Sequence, residues 1–188
     1  MIRKNLFSVI GAIIFSLTAL YLGYTALGFW AMLVFTFGYL GGFLFWLVFY
    51  KKLEIRAILA PYFLTLVLFI IHKIEERQQA FFPALSQLTG KPVPEADSMP
   101  AIGLYAVAVV WLMIPLLVWK KQAFGTYLTW TFFASMGISE LAHFIFPLFT
   151  DHPYGYFPGM WSVIPLAPAA WWGILKSIKI NSDSRSSA

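Results

Sequence analysis

Long runs of apolar residues, separated by short polar segments, recur along the whole chain. An α-helix needs about 20 apolar residues to cross the hydrocarbon core of a bilayer. Six runs have this length, near residues 6–26, 28–50, 57–77, 101–119, 123–148 and 158–178. The runs are continuous rather than alternating, which favours helices over a β-barrel. We therefore expect an all-α, polytopic membrane protein built as a bundle of six transmembrane helices.

The segments between the runs indicate one domain. Residues 1–180 form a single transmembrane unit, and residues 181–188 are polar and serine-rich, which is typical of a disordered tail. The only long connection is the stretch 78–100, which is rich in proline. A helix ends readily in such a stretch, so we predict a loop there. In the second run, Gly38, Gly41 and Gly42 are expected to let another helix approach closely.

Composition supports the membrane assignment. Of the 188 residues, 60% are hydrophobic and 11% are charged, whereas a soluble domain carries roughly 25% charged residues. The chain has no cysteine, which excludes disulfides and thiolate metal sites. Its net charge of +5 is explained by basic residues beside a bilayer, so we expect a lipid bilayer and not a nucleic acid as its partner.

The basic residues also predict an orientation. With both termini in the cytoplasm, ten lysines and arginines lie inside and two, Arg77 and Lys91, lie outside. The inside set is Arg3, Lys4, Lys51, Lys52, Arg56, Lys120, Lys121, Lys176, Lys179 and Arg185. Adding or removing one helix would spoil this bias. We expect an integral protein of a bacterial-type plasma membrane with the N- and C-termini inside.

Five ionisable residues lie in or beside the apolar runs. His72, Glu75 and Glu76 follow directly after an apolar stretch of the third run, and Glu140 and His143 lie within the fifth. A charged group at the centre of a spanning helix costs about 2.5–3.5 kcal/mol on insertion scales. Such groups usually have a function, so these five are the candidate site.

Helical spacing predicts that the five residues converge. Positions i, i+3 and i+4 share a helix face, which groups His72, Glu75 and Glu76 on one helix and Glu140 and His143 on another. Both helices run outward. At 1.5 Å per residue, His72 and Glu140 lie roughly 24–26 Å from the inner boundary. We therefore expect one site in the outer half of the bilayer.

The residue types indicate metal binding or acid–base catalysis. Di-iron and di-manganese bundles use Glu-x-x-His on their helices, and Glu140 and His143 have this spacing. Three carboxylates and two imidazoles suit one or two ions of zinc, iron or manganese. We predict all five residues as metal ligands and catalytic groups, with Glu75 or Glu76 as the general base or a bridging ligand. The third histidine, His152, lies in a turn and is not expected to be a ligand.

The string His72-Lys-Ile-Glu75-Glu76 resembles the signature of the HXXEE family of integral membrane proteins. His143, followed by the Tyr156-Phe-Pro158-Gly159 stretch, is similar to the downstream pattern of that family. The resemblance extends over most of the chain and implies a small multi-helix membrane domain. It brings no reaction with it, and the role of Glu140 rests on the local argument alone.

Three functions fit these expectations. The first is a membrane enzyme with a metal centre that acts on a lipid or another apolar small molecule. The second is a metal-free isomerase in which a protonated glutamate is the acid. The third is a small carrier or binding protein for protons or cations, although the inner half of the third and fifth runs offers only threonines. A purely structural His72–Glu140 pair, or a solvated end of the third helix at Glu76, would need no chemistry.

Overall fold

A computed structural model describes residues 2–49, 53–95 and 97–186. Its α-helices are α1 (Ile2–Leu27), α2 (Phe29–Val48), α3 (Ile55–Gln78), α4 (Phe81–Thr89), α5 (Met99–Val110), α6 (Ile114–Trp119), α7 (Ala123–Gly137) and α8 (Met160–Ser186). The described ranges contain no β-strand, so the predicted all-α class is confirmed.

Four helical segments are long and apolar enough to span a membrane. They are Leu6–Leu27, Phe29–Val48, Ile55–Gln78 and Met99–Trp119. The last combines α5 and α6 through a short 3₁₀ turn, Trp111–Met113. Pro115 lies in the first turn of α6, where its missing N–H breaks the α-helical hydrogen-bond ladder. By their length and composition, these segments indicate a membrane protein.

The predicted fifth helix over 123–148 is wrong in its second half, because α7 ends at Gly137. Two 3₁₀ segments follow, Ser139–Phe144 and Phe146–Phe149. The Trp171 indole N–H donates to the Gly137 carbonyl at 2.8 Å, and the Ser139 hydroxyl donates to a carbonyl of α2 at 2.8 Å. Between these bonds Ile138 leaves the α-helical region, with φ −124° and ψ −55°. Contacts with α8 and α2 therefore accompany the end of α7.

The helix α7 lies in the middle of the bundle, and residues 125–137 are all buried. Its close crossing with α2 depends on two of the predicted glycines. A Cβ on Gly42 would lie 2.5 Å from the Thr131 Cα atom, and one on Gly38 would overlap Ser135 of α7. A Cβ on Gly41 would have no atom within 4 Å, so this glycine makes no close contact with another helix.

Two predicted boundaries also differ from the structure. The stretch 78–100 is not a plain loop, since it contains α4, which begins after Ala80 (φ 56°) and ends before Gly90 (φ 68°). The helix α8 continues to Ser186, past the expected start of a disordered tail at residue 181. After Gly173 the sequence has neither glycine nor proline to end the helix.

Candidate metal centre

The C-terminal part of α3 supplies two of the predicted site residues. His72 and Glu76 are four residues apart on one face of the helix. The His72 Nε2 and Glu76 Oε1 atoms are 3.2 Å apart. Both residues are buried, His72 completely, so Glu76 does not belong to a solvated helix end.

Two further predicted site residues, Glu140 and His143, come from the 3₁₀ segment that follows α7. A 3₁₀-helix has three residues per turn, so residues three apart lie directly above one another. Glu140 and His143 have this separation, and the Glu140 Oε2 and His143 Nε2 atoms are 3.3 Å apart. The change of helix type therefore preserves the shared face that the sequence predicts.

These two pairs form one cluster. The His72 Nε2 atom lies 3.2 Å from Glu140 Oε2, and the His143 Nε2 atom lies 3.4 Å from Glu76 Oε1. Each imidazole nitrogen thus contacts one oxygen of each glutamate. One ligand atom from each of the four residues can be chosen so that no two are more than 4.8 Å apart. Ligands about 2.0–2.1 Å from a tetrahedral zinc ion stand about 3.3–3.4 Å from each other. The four nitrogen–oxygen distances are close to this value, whereas the full set of four atoms extends to 4.8 Å and would have to contract around such an ion.

The opposite ring nitrogens show that both histidines carry a proton on Nδ1. The His143 Nδ1 atom donates to the Pro158 carbonyl at 2.6 Å, because a carbonyl can only accept. The Ser162 hydroxyl donates to the Gly159 carbonyl at 3.2 Å and therefore accepts from His72 Nδ1 at 2.8 Å. Metal-binding histidines are commonly oriented by hydrogen bonds of this kind.

A neutral histidine with its proton on Nδ1 has a lone pair on Nε2. In His72 and His143 this lone pair faces oxygens of Glu76 and Glu140, which also carry lone pairs. Such an arrangement is repulsive unless a cation lies between the groups, either a metal ion or an additional proton on an imidazole or a carboxyl group. The cluster can thus bind a divalent metal ion, and its donor set suits zinc.

Glu75 points elsewhere, although it is adjacent to Glu76. Its carboxylate accepts hydrogen bonds from the backbone N–H groups of Trp161 (3.2 Å) and Ser162 (2.8 Å) and from the Tyr156 hydroxyl (2.7 Å). A carboxylate at a helix N-terminus is favoured by the helix dipole. Burial and the bond to Glu75 raise the pKa of Tyr156 to about 12, which keeps this phenol a donor. Glu75 therefore attaches α3 to the first turn of α8.

Sequence reasoning missed two contributors to the cluster. Ser162 orients His72, and nothing in the sequence relates these residues before the fold is known. The Lys73 Nζ atom lies 2.7 Å from Glu76 Oε2 and 3.8 Å from Glu140 Oε1. The spacing of Lys73 and Glu76, three residues apart on a helix, could have indicated their ion pair.

Aromatic rings cover the side of His143 away from the carboxylates. The Phe81 ring of α4 lies 5.0 Å from the imidazole, and Phe146 and Phe157 pack around the same ring at 5.8 and 6.3 Å. His152 lies in an exposed turn and is not one of the four clustered residues, as expected. The described structure thus brings together four of the five predicted residues and assigns the fifth, Glu75, to a supporting contact.

Comparisons with protein-family models, with curated proteins and with solved structures found no match.

Proposed function

We propose that this chain is a membrane-embedded metalloprotein with one divalent ion held by His72, Glu76, Glu140 and His143. The observation that carries the proposal is the position of two imidazole Nε2 atoms at 3.2–3.4 Å from oxygens of two carboxylates, with both Nδ1 atoms engaged as donors elsewhere. Zinc is the preferred ion, because imidazole nitrogens and carboxylate oxygens are among its usual ligands and its structural sites hold four of them. Iron and manganese commonly take more ligands than these four residues offer.

We further propose that the centre acts on a lipid or another apolar molecule. A bound divalent ion would supply a Lewis acid and an acidic water molecule. Glu140 directs Oε2 toward the histidines, and its Oε1 atom is 3.8 Å from the Lys73 ammonium, so Glu140 could accept a proton from a substrate. Glu76 is the weaker candidate for the base, since its Oε2 atom is ion-paired with Lys73 at 2.7 Å. Glu75 is not proposed as the base, since three donors already occupy its carboxylate.

The six-span topology with both termini inside remains our proposal. The four apolar spans support it, together with the ten-to-two distribution of basic residues. In this arrangement α7 with its 3₁₀ extension is the fifth span and α8 is the sixth. The centre then lies in the outer half of a bacterial-type plasma membrane. Membership of the HXXEE family is proposed on the motif at His72, Glu75 and Glu76.

The test is elemental analysis of protein purified in an uncharged detergent. We expect about one zinc ion per wild-type chain, and loss of that ion in His72→Ala and in Glu140→Ala. His152→Ala is the matched control, because it removes an exposed imidazole and should leave the zinc content unchanged. Wild-type protein that holds no metal after growth in zinc-supplemented medium would refute the proposal.

A metal-free acid–base catalyst of the isomerase type is the second candidate, and Lys73 is the observation in its favour. One ammonium and one imidazolium would balance the charges of Glu76 and Glu140 without a metal. The variant Lys73→Met separates the two functions. A metal centre should bind zinc at least as tightly after this change, because a competing cation is removed. A metal-free network would instead lose stability and bind no zinc.

The carrier alternative gains less support. The Thr129 and Thr131 hydroxyls donate to carbonyls of their own helix, at 2.9 and 3.0 Å. A hydroxyl that is already hydrogen-bonded within its own helix is a poor transient binding site for an ion. Zinc or proton flux into proteoliposomes would favour the carrier over both other functions.

A further inference from the structure

We propose that the centre binds an anionic amphiphile, with an oxyanion head group paired to Lys73 and an apolar tail on the surface beside α3. This inference rests on the metal centre proposed above and names the class of its substrate. Three features of the molecule support it: the position of Lys73, the charge of the occupied centre and the surface around it.

Lys73 lies at the edge of the cluster that is open to the surroundings. Its side chain is 43% exposed, whereas those of His72 and Glu140 are 0% and 15% exposed. Glu76 directs Oε1 toward the histidines and Oε2 toward Lys73, and Glu140 does the same with Oε2 and Oε1. A molecule that reached the ligand atoms from this side would therefore pass the Lys73 ammonium.

The charge of the occupied centre favours an anion. A divalent ion balances the carboxylates of Glu76 and Glu140, with both histidines neutral. The ammonium of Lys73 is then an additional positive charge at a membrane depth where charge is costly. An oxyanion would neutralise this ammonium, and it could also become a fifth ligand, since zinc can expand to five-coordinate.

The surroundings of Lys73 are apolar. Its ammonium lies 5.3 Å from the centre of the Phe69 ring. The helix α3 packs mainly on α8, and α5 packs mainly on α1, so these two helices do not cover each other here. Ile70 on α3 and Tyr105 on α5 are exposed. This surface suits a tail that enters sideways from the lipid and leaves its head group at Lys73.

The experiment uses full-length protein in an uncharged detergent, loaded with cobalt(II), whose visible absorption reports its ligands. Three probes share a twelve-carbon chain: dodecanoate, dodecyl phosphate and the neutral dodecanol. The variants are Lys73→Met, the charge-retaining Lys73→Arg, and Lys91→Met as a matched control. Lys91 is a lysine whose ammonium lies over the Tyr24 ring and not at the cluster. Bound cobalt is measured in every sample.

We expect dodecanoate, dodecyl phosphate or both to change the cobalt spectrum saturably, and dodecanol to cause no such change. Lys73→Met should weaken anion binding by about tenfold or more, while Lys73→Arg and Lys91→Met stay close to the wild type. A response to one anion alone identifies the head group as carboxylate or phosphate. Cobalt-loaded protein that binds no anion, or binds it equally well in Lys73→Met, would overturn this inference alone. Protein that binds no cobalt would overturn the metal centre as well.

Discussion

Replacing Gly159 by alanine tests the geometry of the cluster most directly. Gly159 has φ +97°, and a Cβ atom there would lie 2.6 Å from the Cε1 and Nδ1 atoms of His143. The same Cβ would lie 2.8 Å from the Cε1 atom of His72. One added methyl group therefore collides with both imidazoles at once, in each case at the Cε1 atom between the two ring nitrogens.

The size of the effect follows from these distances. Carbon atoms make their best contacts at about 3.5–4.0 Å, so the His143 ring must move by about 1 Å. Ligands need to stay within about 0.5 Å of their productive positions, and disturbed supporting contacts cost about 10–100-fold in metal affinity. The backbone conformation adds about 1–3 kcal/mol of lost stability. We expect Gly159→Ala to lose at least tenfold in zinc affinity and to unfold at a lower temperature.

The matched control is Gly90→Ala. Gly90 also has a positive φ, +68°, but a Cβ there would have no neighbour within 4 Å. This variant should lose about 1 kcal/mol of stability through the backbone alone and keep its zinc affinity. Competition with a chelator gives the affinity, and thermal unfolding of both variants gives the stability. Zinc affinities that match in the two variants would refute the assignment of His72 and His143 as ligands held against Gly159.

Three further predictions concern other contacts. The variant Glu75→Gln should keep its zinc and lose about 1–3 kcal/mol of stability, whereas Glu76→Gln should lose most of its zinc. Elemental analysis measures the zinc, and equal zinc contents in the two variants would contradict the different roles assigned to these neighbours. Ala80→Gly should raise the free energy of unfolding by about 0.5–1 kcal/mol, because it relieves a left-handed backbone at φ 56°, and an unchanged or lower thermal midpoint would count against this. Gly42→Ala should lower stability by about 1–3 kcal/mol through a clash with α7, while Gly41→Ala should not, so the same loss in both variants would argue against the close crossing.

Helical periodicity was sufficient to predict four of the clustered residues. The separation of His72 from Glu76 leaves them on one face of an α-helix, and that of Glu140 from His143 does so in either helix type. Helical periodicity could not predict that Glu76 joins the cluster whereas Glu75 does not. Successive residues point about 100° apart on a helix, and which of the two meets the histidines depends on where α8 packs.

The end of α7 at Gly137 could not be predicted from the sequence for a similar reason, since it also depends on packing against other helices. The apolar run continues through Phe144 and Phe149, and only the hydrogen bonds from Trp171 and to α2 mark the break. These partners are 34 and 105 residues away along the chain. Local patterns predict that a segment is helical and apolar, but distant side chains decide where it stops.

The first turn of α8 has a consequence for biosynthesis. All four proposed ligands are translated by residue 143, yet the groups that orient both histidines come from residues 158–162. A nascent chain that stops short of this turn would carry every donor atom and lack the hydrogen bonds that select the tautomers. Glu75 would also lack the backbone N–H groups at the start of α8 that donate to its carboxylate. Metal loading would thus follow the arrival of α8, and a filled centre would mark a chain in which α8 has docked.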